Sequence, residues 1–269
     1  MKKIIDLEQL NTLLNKFQLL KGGFSNNYLV KDEYIKLLNE DKLYYLSTSS
    51  NLCILVKKST CYRLYYIIND PKELFKIDSE GNYAIEILFR GGSYPVEHIR
   101  YWQDNGFKIH LQRDMYEAKI VMPFDYQLSN NIQIDNKISR EDAIWIKTLF
   151  DSYFDKYTGD FLTDLELDAI IQNKEMYVAY VNNKPVGGLH YYLKNKVMWL
   201  GHIAVDASIL NQGIARNLLY KWINENCASV NRFALWVQSQ NDTAIHLYKT
   251  FGFKYLNKST ISMLKLKEI

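Results

Sequence analysis

A glycine-containing loop before an amphipathic helix is the stretch of this 269-residue chain whose residue types most directly suggest chemistry. The loop reads NQGIAR at 211–216, follows a strand-like run at 197–205 and precedes a helical apolar pattern at 217–227. The first turn of a helix presents N–H groups without intrahelical partners, and Gly213 lets an anion come close to them. The loop is therefore either a phosphate cradle or a plain tight turn. The candidate ligands are Asn211, Gln212, Gly213, Ile214, Ala215 and Arg216.

A second pattern of fixed spacing follows the helix. The chain reads N-x-x-A-x-x-x-Y-x-x-x-G-F, formed by Asn241, Ala244, Tyr248, Gly252 and Phe253. With the strand ending in Ile203, Ala204 and Val205, the loop and this pattern resemble the core of the GNAT (Gcn5-related N-acetyltransferase) family. The loop departs from the family's Q/R-x-x-G-x-G/A at its first position, Leu210. The departure removes one side-chain contact to a phosphate, but the backbone cradle does not depend on it.

The resemblance implies an acetyl-CoA-dependent N-acetyltransferase in which a primary amine attacks the thioester directly. In the family, a splay or bulge in the strand before the loop frees backbone N–H groups that hold the pantetheine and the thioester oxygen. Here these groups belong to Ile203 and Val205, with Ala204 between them. Tyr248 matches the family's general acid, because a phenol of pKa about 10 keeps its proton at pH 7 and can give it to the departing sulfur. Asn241 is expected to contact the cofactor or the backbone.

No single residue marks the base that takes the proton from the amine. His202 lies on the strand before the loop, and we predict a catalytic role for it, directly or through water. His190 lies on the preceding strand; it could act as the base in the same way, and we predict that it binds the acceptor. Packing and hydrogen bonding in the core are the alternative for both rings.

Acceptor recognition is expected from the loop at 153–164, where acidic residues stand beside aromatic ones. Asp155, Tyr157 and Asp160 would bind a cationic amine by charge pairing and cation–π contact. An ordinary solvated loop is the alternative. The acceptor is therefore predicted to be a small-molecule or peptide amine whose identity the sequence does not give.

Composition limits the remaining function classes. The chain is 48% hydrophobic with a net charge of +3, and its charges are interspersed, so we expect no nucleic-acid partner. It has no long apolar run and no signal-peptide pattern, so we expect no membrane partner and a cytoplasmic location. The three cysteines have no metal-ligand spacing, so no metal is predicted. The abundance of Lys, Asn and Ile suggests a bacterial source, and the oligomeric state stays open.

The two halves of the chain resemble each other. KLYYLSTSSNLCILV at 42–56 resembles EMYVAYVNNKPVGGL at 175–189, and Asp70 ends a strand pattern 136 positions before Asp206 ends its counterpart. The offset reaches 146 between Gly106 and Gly252, because the first half lacks the glycine loop and the long helix. Residues 69–82 have neither a glycine at a helix start nor room for three helical turns.

This repeat predicts an α/β fold of two tandem GNAT-like domains, each a mostly antiparallel central sheet flanked by helices. The boundary is expected near Pro123, giving a degenerate domain at 1–125 without a phosphate loop and a catalytic domain at 126–269. Tandem units also occur in mycothiol synthase and in tRNA-dependent aminoacyl transferases, but the latter need no CoA loop, and Gly213 argues against them. Leu210 and the unassigned base leave one alternative, a non-catalytic CoA-binding or scaffolding protein.

Overall fold

The computed structural model describes residues 1–126, 131–159 and 161–267. Its helices are α1 (Leu7–Lys16), α2 (Lys31–Asn39), α3 (Val96–Asp104), α4 (Arg140–Tyr153), α5 (Asp164–Asn173), α6 (Ile214–Asn226) and α7 (Asp242–Thr250). Its strands are β1 (Lys2–Lys3), β2 (Phe24–Ser25), β3 (Leu43–Ser47), β4 (Leu52–Lys57), β5 (Tyr62–Ile68), β6 (Tyr83–Arg90), β7 (Lys108–Lys119), β8 (Gln133–Asp135), β9 (Met176–Val181), β10 (Lys184–Lys194), β11 (Val197–Val205), β12 (Arg232–Gln238) and β13 (Lys254–Lys265).

The chain forms two compact units. Unit 1 comprises Met1–Arg113 and Lys258–Ile269, and unit 2 comprises Asp114–Asn257. Each unit has its own apolar core on both faces of a mostly antiparallel sheet flanked by helices. The predicted mixed α/β fold is confirmed.

The sheet of unit 1 runs in the order β1-β3-β4-β5-β6, and residues 258–265 of β13 extend it beyond β6. Side chains alternate between its faces along β4, as the period of two requires. Cys53 and Leu55 pack toward α3, whereas Leu52 and Ile54 pack toward α1 and α2. Both faces are buried, which explains the nearly continuous apolar pattern of this strand.

In unit 2 the order is β8-β9-β10-β11-β12, with the end of β7 next to β12. Helices α4 and α5 cover one face, where Ile146 and Ile170 are buried. Helices α6 and α7 cover the other face, where Trp222 and Tyr248 are buried. Strand β11 therefore lies between two helical layers, and its alternate side chains point to opposite layers.

The compact units do not coincide with the boundary expected near Pro123. Residues 258–265 pair antiparallel with β6 over eight positions, from Lys258 opposite Arg90 to Lys265 opposite Tyr83. Residues 114–119 of β7 belong to unit 2. Strand pairing satisfies backbone N–H and C=O groups wherever an edge is available, so a strand need not join the unit that precedes it in sequence.

Helix α6 begins at Ile214, three residues earlier than the apolar pattern indicated, because Gly213 adopts a left-handed conformation and serves as its N-cap. No helix among the described residues is long and apolar enough to cross a membrane. Within the same ranges, no group of three or more His, Cys, Asp or Glu side chains is arranged to hold a metal ion.

Candidate functional site

The start of α6 leaves several backbone donors outside the helical ladder. Gly213 has φ of 76°, and a Cβ built on it would meet no atom within 4 Å. The first helical hydrogen bond joins the N–H of Asn217 to the carbonyl of Gly213 at 2.9 Å, so the N–H groups of Ile214, Ala215 and Arg216 precede it. No side chain caps this helix. Open space and uncommitted donors therefore meet at the positive end of α6.

The other predicted loop residues lie on the surface around this turn. Asn211, Gln212 and Gly213 are exposed, and Asn211 also adopts a positive φ of 64°. Leu210, at the position where the family has Gln or Arg, is 54% exposed and adds no charge to the turn. The loop thus offers backbone groups rather than charged side chains, apart from the exposed Arg216.

Strands β11 and β12 separate after a short parallel contact. They pair at only three positions, the last of which places Leu200 opposite Leu235. The β10–β11 register then shifts, because Tyr191 pairs with Leu200 and His190 pairs with His202, which leaves Gly201 as an extra residue. Such a bulge bends its strand and increases the local twist. A gap consequently opens between β11 and β12 beyond Leu200.

The backbone of β11 points N–H groups into this gap. The N–H of Asp206 donates to the carbonyl of Val186 on β10 at 2.8 Å, which makes this a hydrogen-bonded pair of the antiparallel ladder. Such pairs alternate with non-hydrogen-bonded ones, whose backbone groups point away from the partner strand. In this register Val205 and Ile203 are non-hydrogen-bonded with β10. Their N–H groups therefore face the side from which β12 has separated.

The absence of a side chain at Gly201 makes room for a histidine. A Cβ at this position would lie 2.6 Å from Nδ1 of His190. That nitrogen lies 3.3 Å from Nδ1 of His202, whose ring stacks on Phe150 and meets Phe154 edge-on. Burial and the neighbouring His202 ring lower the pKa of His190 to about 3, so His190 is neutral at pH 7. The two predicted histidines form a buried contact pair.

Tyr248 occupies the opposite helical layer. It is 5% exposed and shares its apolar cluster with Ile214, while Ile203 and Val205 pack at the border of that cluster. Burial raises the pKa of the Tyr248 phenol, so the hydroxyl keeps its proton. The fold thus gathers the predicted acid, the loop and the β11 donors around one core.

Asn241 has a structural contact of its own. Its Oδ1 accepts from the N–H of Ala244 at 3.1 Å, and Asn241 is the N-cap of α7. Asn241 was expected to contact either the cofactor or the backbone, and this hydrogen bond is a backbone contact. The cap fixes the start of the helix that carries Tyr248 two turns later.

The predicted acceptor loop uses its own groups to form a turn. Oδ1 of Asp155 accepts from the N–H of Tyr157 and from both the N–H and the hydroxyl of Thr158, at 2.8–3.1 Å. Nζ of Lys156 lies 4.9 Å from the ring centroid of Tyr157. Asp155 and Tyr157 are therefore half-buried in a turn, and Thr158 is buried. Asp160 lies outside the described residues.

A shallow cavity of about 250 Å³, open to solvent on the side of the exposed Glu166 and Ala169, lies between α5 and β10 in unit 2. His190 is the one predicted site residue among those that line it. The others are Leu162, Glu166, Ala169, Ile170, Glu175 and Tyr192. Sequence reasoning missed Glu175 and Tyr192, although Tyr192 stands two residues after His190 and therefore on the same face of β10.

Unit 1 contains a counterpart of the β11–β12 gap. Strands β5 and β6 pair in parallel at three positions, from Tyr62 opposite Tyr83 to Leu64 opposite Ile85. These β5 residues precede their β11 counterparts, including Leu200, by 136 positions, the offset found in the sequence. Beyond Leu64 the two strands separate, as they do in unit 2.

In unit 1 the chain itself fills this gap. Nδ2 of Asn26 donates to the carbonyls of Leu64 at 3.1 Å and Glu86 at 3.0 Å, one on each strand. Oδ1 of Asn26 accepts from the N–H of Tyr66 at 2.7 Å. Strand β2 pairs with the end of β5, with Phe24 opposite Ile68. The backbone groups that remain open on β11 are thus occupied on β5.

Comparisons with known proteins relate part of the chain to one family. Residues 143–253 match the model of the Acetyltransferase (GNAT) family, a range that includes the β11–β12 gap, the loop and Tyr248. No curated protein matches the chain in sequence.

The chain is also similar to solved structures. A GCN5-related N-acetyltransferase from Sphaerobacter thermophilus is 13% identical, with a TM-score of 0.60 over 80% of this chain and 76% of that one. An acetyltransferase of the GNAT family from Colwellia psychrerythraea is 15% identical, with a TM-score of 0.55 over 99% of both chains. A tandem GNAT protein from the clavulanic acid biosynthesis pathway is 8% identical, with a TM-score of 0.53 over 81% of this chain and 80% of that one. The chain therefore has the GNAT fold, and its residues 143–253 carry the match to the GNAT acetyltransferase family.

Proposed function

We propose that this chain is an N-acetyltransferase that moves the acetyl group of acetyl-CoA to a primary amine by direct attack. The observation that carries the proposal is the gap in unit 2, into which the N–H groups of Ile203 and Val205 point, beside the open start of α6 at Gly213. Rigid backbone donors suit this role because they are aimed before the reaction begins.

Each part of the site has a role in this proposal. The first-turn N–H groups at Ile214, Ala215 and Arg216 bind the pyrophosphate, and the dipole of α6 favours its negative charge. The N–H groups of Ile203 and Val205 hold the pantetheine arm and polarise the thioester carbonyl. Acetyl-CoA, when bound, supplies an acetyl group activated as a thioester.

The transfer forms a C–N bond and breaks a C–S bond. The attacking nitrogen loses one proton, and the departing sulfur gains one. Tyr248 is the proposed donor to sulfur, because burial keeps its hydroxyl protonated. His190 is proposed to bind the acceptor, because it lines the cavity. Burial lowers the pKa of His190 and makes it a weak base, so His202, whose Nδ1 contacts Nδ1 of His190, is proposed to take the amine proton, directly or through water.

Unit 1 is proposed to bind no acetyl-CoA. Two observations support this, since residues 69–82 form no helix comparable to α6 and Asn26 occupies the gap. Full-length protein should therefore bind one acetyl-CoA, and unit 1 serves a structural purpose.

Incubation with acetyl-CoA and a panel of amines, with detection of free thiol, tests the proposed activity. Amine-dependent thiol release supports the transferase. Binding of acetyl-CoA with slow thiol release that does not depend on amine would support instead the non-catalytic CoA-binding protein suggested by Leu210.

A further inference from the structure

The cavity beside His190 has a mixed lining that restricts what it can hold. Leu162, Ala169 and Ile170 supply an apolar wall, and Glu166 and Glu175 supply two carboxylates. The lining residues include no lysine or arginine. The cavity is shallow and open at the Glu166 end, and its volume of about 250 Å³ lies below the usual range for drug-sized ligands, so it suits a small molecule.

The strand register shows which end of the cavity lies nearer to the β11–β12 gap. His190 stands at the inner end, against the Gly201 bulge where β11 leaves β12. Glu175 comes directly before Met176, the residue opposite His190 on β9. Glu166 belongs to the first turn of α5, where its Oε2 accepts from the N–H and the hydroxyl of Thr163. The histidine therefore lies toward the gap, and the carboxylates lie away from it.

The two carboxylates lie away from the gap in which the reacting nitrogen must sit, so they are not placed to take its proton. Carboxylates in the acceptor cavity are useful when they hold a second, non-reacting cation. The apolar wall of Leu162, Ala169 and Ile170 would contact the carbon chain between the two nitrogens.

We infer that the acceptor is a small alkyl diamine, whose reacting amine lies at His190 and whose second, protonated amine is held by Glu175 and Glu166. This rests on the proposed transferase function. The product is the mono-N-acetylated diamine, and the second ammonium group takes no part in the bond changes. A monoamine lacks the second cation, and an amino acid with a distal carboxylate places a negative charge against Glu175.

Three acceptors of similar length test the inference on full-length protein: 1,4-diaminobutane, 1-aminobutane and 4-aminobutanoate. We expect kcat/KM to be at least about tenfold higher for the diamine than for the monoamine, the size of one charge-assisted contact, and lowest for the carboxylate. Glu175→Gln should lower kcat/KM for the diamine about tenfold and that for the monoamine much less, so that the ratio of the two values falls toward one. Glu141→Gln, at an exposed glutamate of α4 outside the cavity, is the matched control and should change neither.

Calorimetry with acetyl-CoA separates the failure of this inference from that of the proposed function. If acetyl-CoA binds and the three acceptors react equally or not at all, the diamine assignment is overturned. The same holds if Glu175→Gln lowers kcat/KM for all acceptors alike. If acetyl-CoA does not bind, the proposed function itself fails. Binding of 1,4-diaminobutane by the wild type, weakened in Glu175→Gln, is the supporting result that does not depend on turnover.

Discussion

The backbone N–H of Tyr66 donates to Oδ1 of Asn26 at 2.7 Å in unit 1. Tyr66 corresponds to Ile203 of unit 2 once the extra residue Gly201 is counted, because the parallel contacts of β5 and β11 end at Leu64 and Leu200. The same backbone position is thus committed to a side chain in one unit and open in the other. This difference supports the proposed division into a structural unit and a unit that binds acetyl-CoA.

Replacing Asn26 tests its role in filling the gap of unit 1. Asn26→Ala removes three hydrogen bonds to buried backbone groups, so we expect the free energy of unfolding to fall by about 3 kcal/mol. Urea titration at constant temperature measures the change. Asn39→Ala, at the exposed end of α2, should stay within about 0.5 kcal/mol of the wild type. Equal effects of the two substitutions would show that the hydrogen bonds of Asn26 do not stabilise unit 1.

Tyr248→Phe tests the proposed acid. The substitution keeps the packing against Phe253 and removes the hydroxyl, so kcat should fall about 10²–10⁴-fold if proton transfer to sulfur limits turnover. Acetyl-CoA affinity and the thermal unfolding midpoint should stay close to those of the wild type. Tyr255→Phe, at a tyrosine that is 42% exposed, is the control. Full activity of the Tyr248 variant across the pH range would mean that the phenol is structural.

The buried histidine pair predicts an acid-dependent loss of stability. The pKa of His190 falls from 6.5 to about 3 on folding, so the unfolded chain binds a proton more readily than the folded one. The contribution of His190 is therefore fully present above pH 6.5 and is lost as pH falls toward 3. Between pH 7 and pH 5 the loss is about 2 kcal/mol.

Unfolding free energies at pH 7 and pH 5 check this effect. His190→Gln should lose about 2 kcal/mol less than the wild type over that interval. His246→Gln, at an exposed histidine of α7, should lose as much as the wild type. Identical pH dependence for His190→Gln and the wild type would contradict a buried, neutral His190.

Local patterns of the sequence predicted the elements well. The 136-residue offset was visible in the strand ending at Asp70 and recurs in the parallel register of β5 and β11. The spacing predicted a loop at Gly213 and a helix at Tyr248, and the structure has both, because motifs that are local in the chain define loops and helix faces. The sequence also indicated His190, although not that the missing side chain of Gly201 makes room for it.

Non-local contacts could not be predicted in the same way. Asn26 bonds to backbone groups 38 to 60 positions away, and an asparagine in a polar segment gives no signal of that. The pairing of β13 with β6 depends on which strand edge is available rather than on sequence order. Glu175 lines the same cavity as His190 because β9 pairs with β10, and this pairing joins residues that are distant in the sequence.

Titration calorimetry of full-length protein with acetyl-CoA, compared with Gly213→Glu, tests the central claim most directly. Any side chain at φ of 76° is strained, so this variant should lose some thermal stability, and Gly92→Glu supplies the same strain at φ of 81° with equally open surroundings. We predict one acetyl-CoA per chain for the wild type and for Gly92→Glu, and no measurable binding for Gly213→Glu. Two sites per chain, or unchanged affinity in Gly213→Glu, would contradict the assignment of one acetyl-CoA site at the start of α6.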